Sequence, residues 1–170
     1  MRLEKIIRDV PDFPKPGIIF KDITPILQDP KAFSLTINKL AAHVKTLKPD
    51  VIVAVEARGF IFGAAVANKI KCGFVPVRKP GKLPYKTISE SYQLEYGTDT
   101  LTMHTDGVKP GQTVVIVDDL LATGGTVAAT VALVKKAGGT VKAAAFVIEL
   151  DFLKGRDKLN GLPIFSLIHY

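Results

Sequence analysis

An α/β fold, a central and mostly parallel β-sheet flanked by helices, is predicted by three observations. Residues 51–55, 74–77, 113–117 and 141–148 are short runs of β-branched and small apolar residues, the pattern of strands covered on both faces. Between several of them stand segments whose apolar residues recur at helical spacing, so strand and helix alternate, and parallel strands joined by right-handed crossovers follow. The 170 residues suffice for one full core and contain no repeat, low-complexity tract or linker, so a single domain over 1–170 is expected.

The elements are justified in chain order. Asp29-Pro30 is an N-cap followed by proline at the first helical position, and Phe33, Ile37, Leu40, Ala41, Val44 and Leu47 then repeat along one helix face until Pro49 stops it. Residues 51–55 form a buried strand, 59–70 a helix of small residues, and 74–77 another strand. Residues 79–92 contain Pro80, Gly81 and Pro84 among many polar side chains and read as a long mobile loop. Hairpin strands are expected at 93–96 and 101–104 around Gly97-Thr98-Asp99. A central strand at 113–117, a helix at 127–137, a core strand at 141–148 and a final strand at 163–170 complete the pattern.

Composition narrows the function. The N-terminal MRLEKIIRDV is too charged to hold the apolar core of a secretory signal, and no apolar run approaches the ~20 residues of a bilayer span, so a cytoplasmic protein with no membrane partner is expected. The single cysteine, Cys72, has no intrachain partner and reads as a small packing residue beside Ile70. Lys plus Arg outnumber Asp plus Glu by 23 to 16, which suits a nucleic acid or a small polyanion. Arg78, Lys79, Lys82 and Lys86 lie in a Pro/Gly-rich segment rather than on a helix face, and no nucleic-acid-binding signature is evident, so the small polyanion is the better fit.

The most informative segment is 114–126, VVIVDDLLATGGT. Its strand delivers Asp118 and Asp119 to the strand's carboxyl end, where open α/β sheets bind ligands. Two adjacent acceptor-only groups suit a vicinal diol, whose hydroxyls both donate. Ala122, Thr123, Gly124, Gly125 and Thr126 follow, small enough for a tight turn whose N–H groups converge and which opens a helix, with the two threonine hydroxyls as further donors. Singly, Gly-Gly is a turn and paired aspartates a cap. In this order, with three residues from Leu120 to Ala122 joining the parts, they match a ribose and its 5′-phosphate. The segment has neither the lysine of a Walker loop nor G-x-G-x-x-G, which disfavours a nucleoside triphosphatase or a dehydrogenase.

This segment resembles the phosphoribosyl-pyrophosphate motif of the type I phosphoribosyltransferases, in the form found in the members acting on adenine. PDFPKPGIIFKDITPIL, AVEARGFIFGAAVA, VRKPGKLPYKTISESYQLEYG and ELDFLKGRDKL are similar to the same family, so the resemblance covers essentially the whole chain. It implies a hood at residues 1–30, a flexible catalytic loop at 79–92, Mg²⁺ as cofactor, a homodimer, and purine salvage: adenine and phosphoribosyl pyrophosphate giving AMP and pyrophosphate. Glu56, Ala57, Arg58 and Gly59 correspond to the pyrophosphate loop. Arg78, Lys79 and Lys82 would complete the cationic site, with the two lysines within reach of a neighbouring subunit's ligand. Ile19, Phe20 and Lys21 of the hood and Leu150 opposite would enclose the base. Glu95 corresponds to the family's catalytic glutamate, which would act at N7 of the purine, and Arg58, with Mg²⁺ and the loop cations, would neutralise the departing pyrophosphate. Members acting on 6-oxopurines carry Asp where this chain has Ala122, which argues against guanine, hypoxanthine or xanthine. Another base specificity, and a non-catalytic sensor of phosphoribosyl pyrophosphate that binds nucleic acid, stand as the alternatives.

Overall fold

The computed structural model describes residues 1–93 and 97–170. A hairpin, β1 (Arg8–Pro11) against β2 (Ile19–Asp22), precedes a short helix α1 (Thr24–Gln28) and the long helix α2 (Pro30–Thr46). Asp29 caps α2 as expected, its carboxylate accepting from the N–H groups of Lys31 and Ala32 at 2.8 and 3.0 Å. Ile37, Leu40, Ala41 and Val44 are buried on its inner face, while Phe33 and Leu47 pack at the rim of the same core.

Five strands then build the central sheet: β3 (Val51–Val55), β4 (Gly73–Val77), β7 (Thr113–Leu121), β8 (Thr140–Glu149) and β9 (Ile164–His169). Their order is β4-β3-β7-β8-β9, and every pairing is parallel. Helix α3 (Arg58–Ile70) links β3 to β4 and α4 (Gly125–Lys136) links β7 to β8. These two crossovers run in opposite directions from the β3/β7 pair, which makes that pair the topological switch point of the sheet. Alternate residues feed opposite layers. Ile52, Val115 and Val117 join α2 and α3 in one core, and Val53, Val55, Val114 and Ile116 join α4 in the other.

Two expectations need correction. Residues 79–92 are not one loop: β5 spans Thr87–Gln93 and pairs antiparallel with β6, Thr98–His104. The polar composition concealed a strand of period two, in which Ile88, Glu90 and Tyr92 are half-buried while Thr87, Ser89, Ser91 and Gln93 are exposed. Thr98 and Asp99 accordingly lie in a strand rather than in the turn. The strand expected over 113–117 also continues to Leu121, so Asp118 and Asp119 lie within β7 and not beyond it. Pairing explains this: β3 leaves β7 after Val53↔Ile116, whereas β8 follows it as far as Leu121↔Glu149.

Among the described residues no helix is long and apolar enough to cross a membrane. Cys72 is half-buried against the α2/α3 core, and burial raises its thiol pKa above the ordinary value.

Phe146 is fully buried at the centre of the α4 core. Replacing it with alanine leaves a cavity that neighbouring strands cannot close, so Phe146→Ala is expected to cost about 3–5 kcal/mol of unfolding free energy in a urea titration.

Candidate active site

The site forms where β7 loses one neighbour. Beyond Ile116 its β3 side is open, and Asp118 and Asp119 occupy that stretch, only 8% and 6% exposed. Asp118 Oδ1 accepts the N–H of Asp119 at 2.8 Å. Burial, reinforced by the adjacent Asp119 charge, pushes the Asp118 carboxyl well above its ordinary value of 3.8. Asp119 has a cation against it, with Arg58 Nε 2.6 Å from its Oδ2.

Arg58 opens α3 directly after the Glu56–Ala57 peptide, which is cis. Gly59 follows because nothing larger fits: a Cβ there would lie 2.6 Å from Asp118 Oδ1. Arg58, Gly59 and the carboxylate pair therefore share one crevice. Glu56 turns the other way. Its carboxylate accepts from Arg78 Nε and Nη2 at 3.2 and 3.3 Å and from the Lys79 N–H at 2.8 Å. Burial alone would raise its pKa, but these donors outweigh it and hold the group below the ordinary carboxylate range. Glu56 thus fixes the start of the cationic segment. Arg78 also donates to the Lys82 carbonyl at 3.3 Å, and Lys82 itself is exposed.

The 122–126 turn lies beyond β7. Gly124 takes φ +82° as N-cap of α4, and no side chain caps that helix among the described residues. The first-turn N–H groups, without intrahelical acceptors, face outward with the positive end of the helix dipole behind them. β5 flanks the turn: a Cβ on Gly125 would lie 3.1 Å from the Tyr92 ring, and Tyr92 Oη is 3.3 Å from Thr126 Oγ1. The same hydroxyl donates to Asp99 Oδ2 at 3.2 Å, and Asp99 also pairs with the Lys79 ammonium. Lys79 is therefore held by β6, through the Asp99 that Tyr92 links to the turn. Tyr92 and Asp99 are not evident from the sequence, whose polar composition suggests a loop at the first and a turn at the second. The alternation of Ile88, Glu90 and Tyr92 was the available signal.

The hood residues lie beside Arg58. The Phe20 ring meets Phe13 edge-on at 5.2 Å, with the Arg58 guanidinium 5.4 Å from its centroid. Ile19 is 57% exposed, which leaves an apolar surface beside Phe20. Lys21 points away: its ammonium is 2.7 Å from Asp9 and 3.8 Å from the Tyr170 ring centroid, so its backbone is what it offers to a ligand. Tyr170 carries the link onward, donating its N–H to the Glu149 carbonyl and accepting from the Asp151 N–H on either side of Leu150. Leu150, half-buried, donates its own N–H to the Leu121 carbonyl at 3.0 Å, which fixes it at the carboxyl end of β7. Glu95 lies outside the described residues.

The phosphoribosyl transferase domain family matches residues 23–161. The chain is 57% identical to the adenine phosphoribosyltransferase of Kosmotoga olearia over 170 residues, which is the whole of both chains. The crystal structure of adenine phosphoribosyltransferase from Thermoanaerobacter pseudethanolicus superposes with a TM-score of 0.96 at 58% identity, covering 99% of each chain. The Saccharomyces cerevisiae enzyme, crystallised with an imino-altritol bisphosphate and adenine, gives 0.93 at 41% identity over 97% of this chain and 96% of that one. The chain belongs to the phosphoribosyl transferase family, among its adenine phosphoribosyltransferases.

Proposed function

We propose that this chain transfers the 5-phosphoribosyl group of phosphoribosyl pyrophosphate to N9 of adenine, giving AMP and pyrophosphate in purine salvage. The observation that carries this reading is the convergence of the buried Asp118–Asp119 pair, the Arg58–Gly59 helix start and the Gly124 turn at the switch point of the sheet. The carboxylates accept from the ribose 2′- and 3′-hydroxyls. The N–H groups of 123–126, with the hydroxyls of Thr123 and Thr126, take the 5′-phosphate. Ala57, Arg58 and Gly59, with Arg78, Lys79 and Lys82, face the pyrophosphate, Arg58 being the cation nearest the diol site, while Glu56 holds Arg78 and the Lys79 backbone in place. Lys79 exchanges Asp99 for phosphate oxygens when ligand arrives, in its own subunit or in a partner's.

Adenine enters between Phe20 and Leu150, with the Ile19 and Lys21 backbone at its edge. As the bond from the anomeric carbon to the pyrophosphate oxygen breaks, the ribose gains cationic character and N9 bonds to that carbon. Glu95, acting at N7 by hydrogen bonding or proton transfer, directs purine electrons toward N9. Residues 79–86, which lie between β4 and β5, close over the site and exclude water, the competing nucleophile.

The residues fit Mg²⁺. Asp118 is a buried carboxyl beside a second one, and Arg58 bonds Asp119, so Asp118 is a hard oxygen donor in need of positive charge. Asp118 and Asp119, directly or through water, would hold the ion with substrate oxygens, and bound there it would offset charge on the departing pyrophosphate. We infer a cytoplasmic homodimer from the family and from the exposed apolar Ile61 and Tyr85.

The reading is tested by pyrophosphate release from phosphoribosyl pyrophosphate and Mg²⁺ with adenine, guanine, hypoxanthine, xanthine or orotate. Release with adenine alone is expected; release with a different base would overturn the base pocket, and silence with all five would leave a non-catalytic sensor. Glu95→Leu is expected to lower turnover by about 10²–10⁴-fold with phosphoribosyl-pyrophosphate binding retained, the range for a lost general acid or base.

Asp118 provides a pH-dependent test. Because its folded-state pKa is raised, the folded chain holds a proton that the unfolded chain releases above about 3.8, so stability falls as pH rises through the window above that value. Asp118→Asn is therefore expected to raise the melting temperature of the ligand-free protein at pH 7, with the gain vanishing below the ordinary carboxylate pKa. It should also weaken ribose 5-phosphate binding, as should Asp119→Asn. Calorimetry that finds unchanged affinity in both variants would remove the diol assignment.

A further inference from the structure

At the turn proposed to hold phosphate, the chain makes a second close contact that allows no side chain. A Cβ on Gly124 would lie 2.3 Å from the Gly155 carbonyl oxygen, and a Cβ on Gly155 would lie 2.3 Å from the Ala122 carbonyl oxygen. Backbone rests on backbone from both directions, and Gly155 is buried. The next residue, Arg156, is tied down by a bidentate pair: Nε and Nη2 donate to the two oxygens of Glu149 at 2.6 and 2.7 Å. Ser166 Oγ on β9 donates to the same carboxylate at 2.6 Å, and Arg156 reaches the Ile164 carbonyl at 3.5 Å. Glu149 is 4% exposed and ends β8, where it pairs with Leu121 of β7 and His169 of β9. The Arg156 hydrogen bonds, joined by Ser166, outweigh burial and hold its pKa below the ordinary value, so the charge persists.

A buried carboxylate gripped this way adds little net stability, since desolvation offsets most of the attraction, but it fixes geometry tightly. We propose that Glu149, Arg156 and Ser166 are positioning residues for the 5′-phosphate: they hold Gly155 as a rigid backstop that keeps the 122–125 turn, and its converging N–H groups, in the binding conformation. None of the three side chains touches the phosphate. The inference rests on the function proposed above, because it requires that this turn hold a phosphoryl group. Misplacement of a preorganised anion site by about 1 Å costs up to about 10²-fold, so the device is worth building.

The experiment compares Arg156→Ala, Arg156→Lys, Ser166→Ala and Gly155→Ala with the unaltered protein. Ribose 5-phosphate binding by calorimetry, KM for phosphoribosyl pyrophosphate and for adenine, and melting temperature are measured for each. Arg156→Ala and Gly155→Ala are expected to raise the ribose 5-phosphate Kd and the phosphoribosyl-pyrophosphate KM about tenfold or more, with adenine KM little changed. Arg156→Lys, which keeps the charge but loses the fork, recovers only part of the affinity. Ser166→Ala removes one donor and gives a smaller shift of the same sign in a protein that still folds if Arg156→Ala does not. Unchanged phosphate affinity in folded variants would overturn the inference, as would equal losses toward both substrates or a loss confined to adenine. An unaltered protein that bound no ribose 5-phosphate would instead overturn the proposed function, and the backstop with it.

Discussion

Two adjacent carboxylates, Asp118 and Asp119, must be buried at the end of the longest-paired stretch of the sheet, and much of the surrounding structure answers that requirement. β7 is flanked on one side only at this point, which opens a crevice without cutting the strand short. Arg58 supplies the cation for Asp119, and Gly59 gives up its side chain so that α3 can approach Asp118. The arrangement is costly, because burial and the adjacent Asp119 charge both oppose ionisation of Asp118. Ribose hydroxyls and a divalent ion are what such a pair can use. Stability is given up locally where binding needs a poised acceptor, the usual relation between active-site electrostatics and fold stability.

Charge is distributed around this centre in opposed layers. Carboxylates sit at the proposed diol position, while cations sit where pyrophosphate is proposed to lie, and three of those cations are held by acids: Arg58 by Asp119, Arg78 by Glu56, Lys79 by Asp99. Held this way, long side chains lose less conformational freedom when a polyanion arrives.

The 122–126 turn, proposed to bind phosphate, is fixed by two very different contacts. Tyr92 covers Gly125 and reaches Thr126 from β5, and the Gly155 backbone supports Gly124. The glycines at 124 and 125 thus serve three ends: the left-handed φ that starts α4, close approach of an aromatic ring, and backbone-to-backbone packing. Exposed donors alone would make a weak anion site; donors held rigidly by packed neighbours make a strong one.

The amino-acid sequence by itself determined the strands and helices of the parallel sheet, because buried parallel strands need continuous apolar runs and their crossover helices need a 3.6-residue repeat. It also exposed the acidic pair and the glycine turn, whose chemistry is local and contiguous. It did not disclose β5, since a half-buried hairpin strand of Thr, Ser, Glu and Tyr looks polar until α4 is placed beneath Ile88 and Tyr92. Nor could it show that Lys79 pairs with Asp99, that Glu56 grips Arg78, or that Glu149 holds Arg156 beside Gly155. Those partners are 7 to 22 residues apart in the chain. Which of many acids each base meets is decided only when sheet order and register bring particular strand ends together, and that is a property of the tertiary structure.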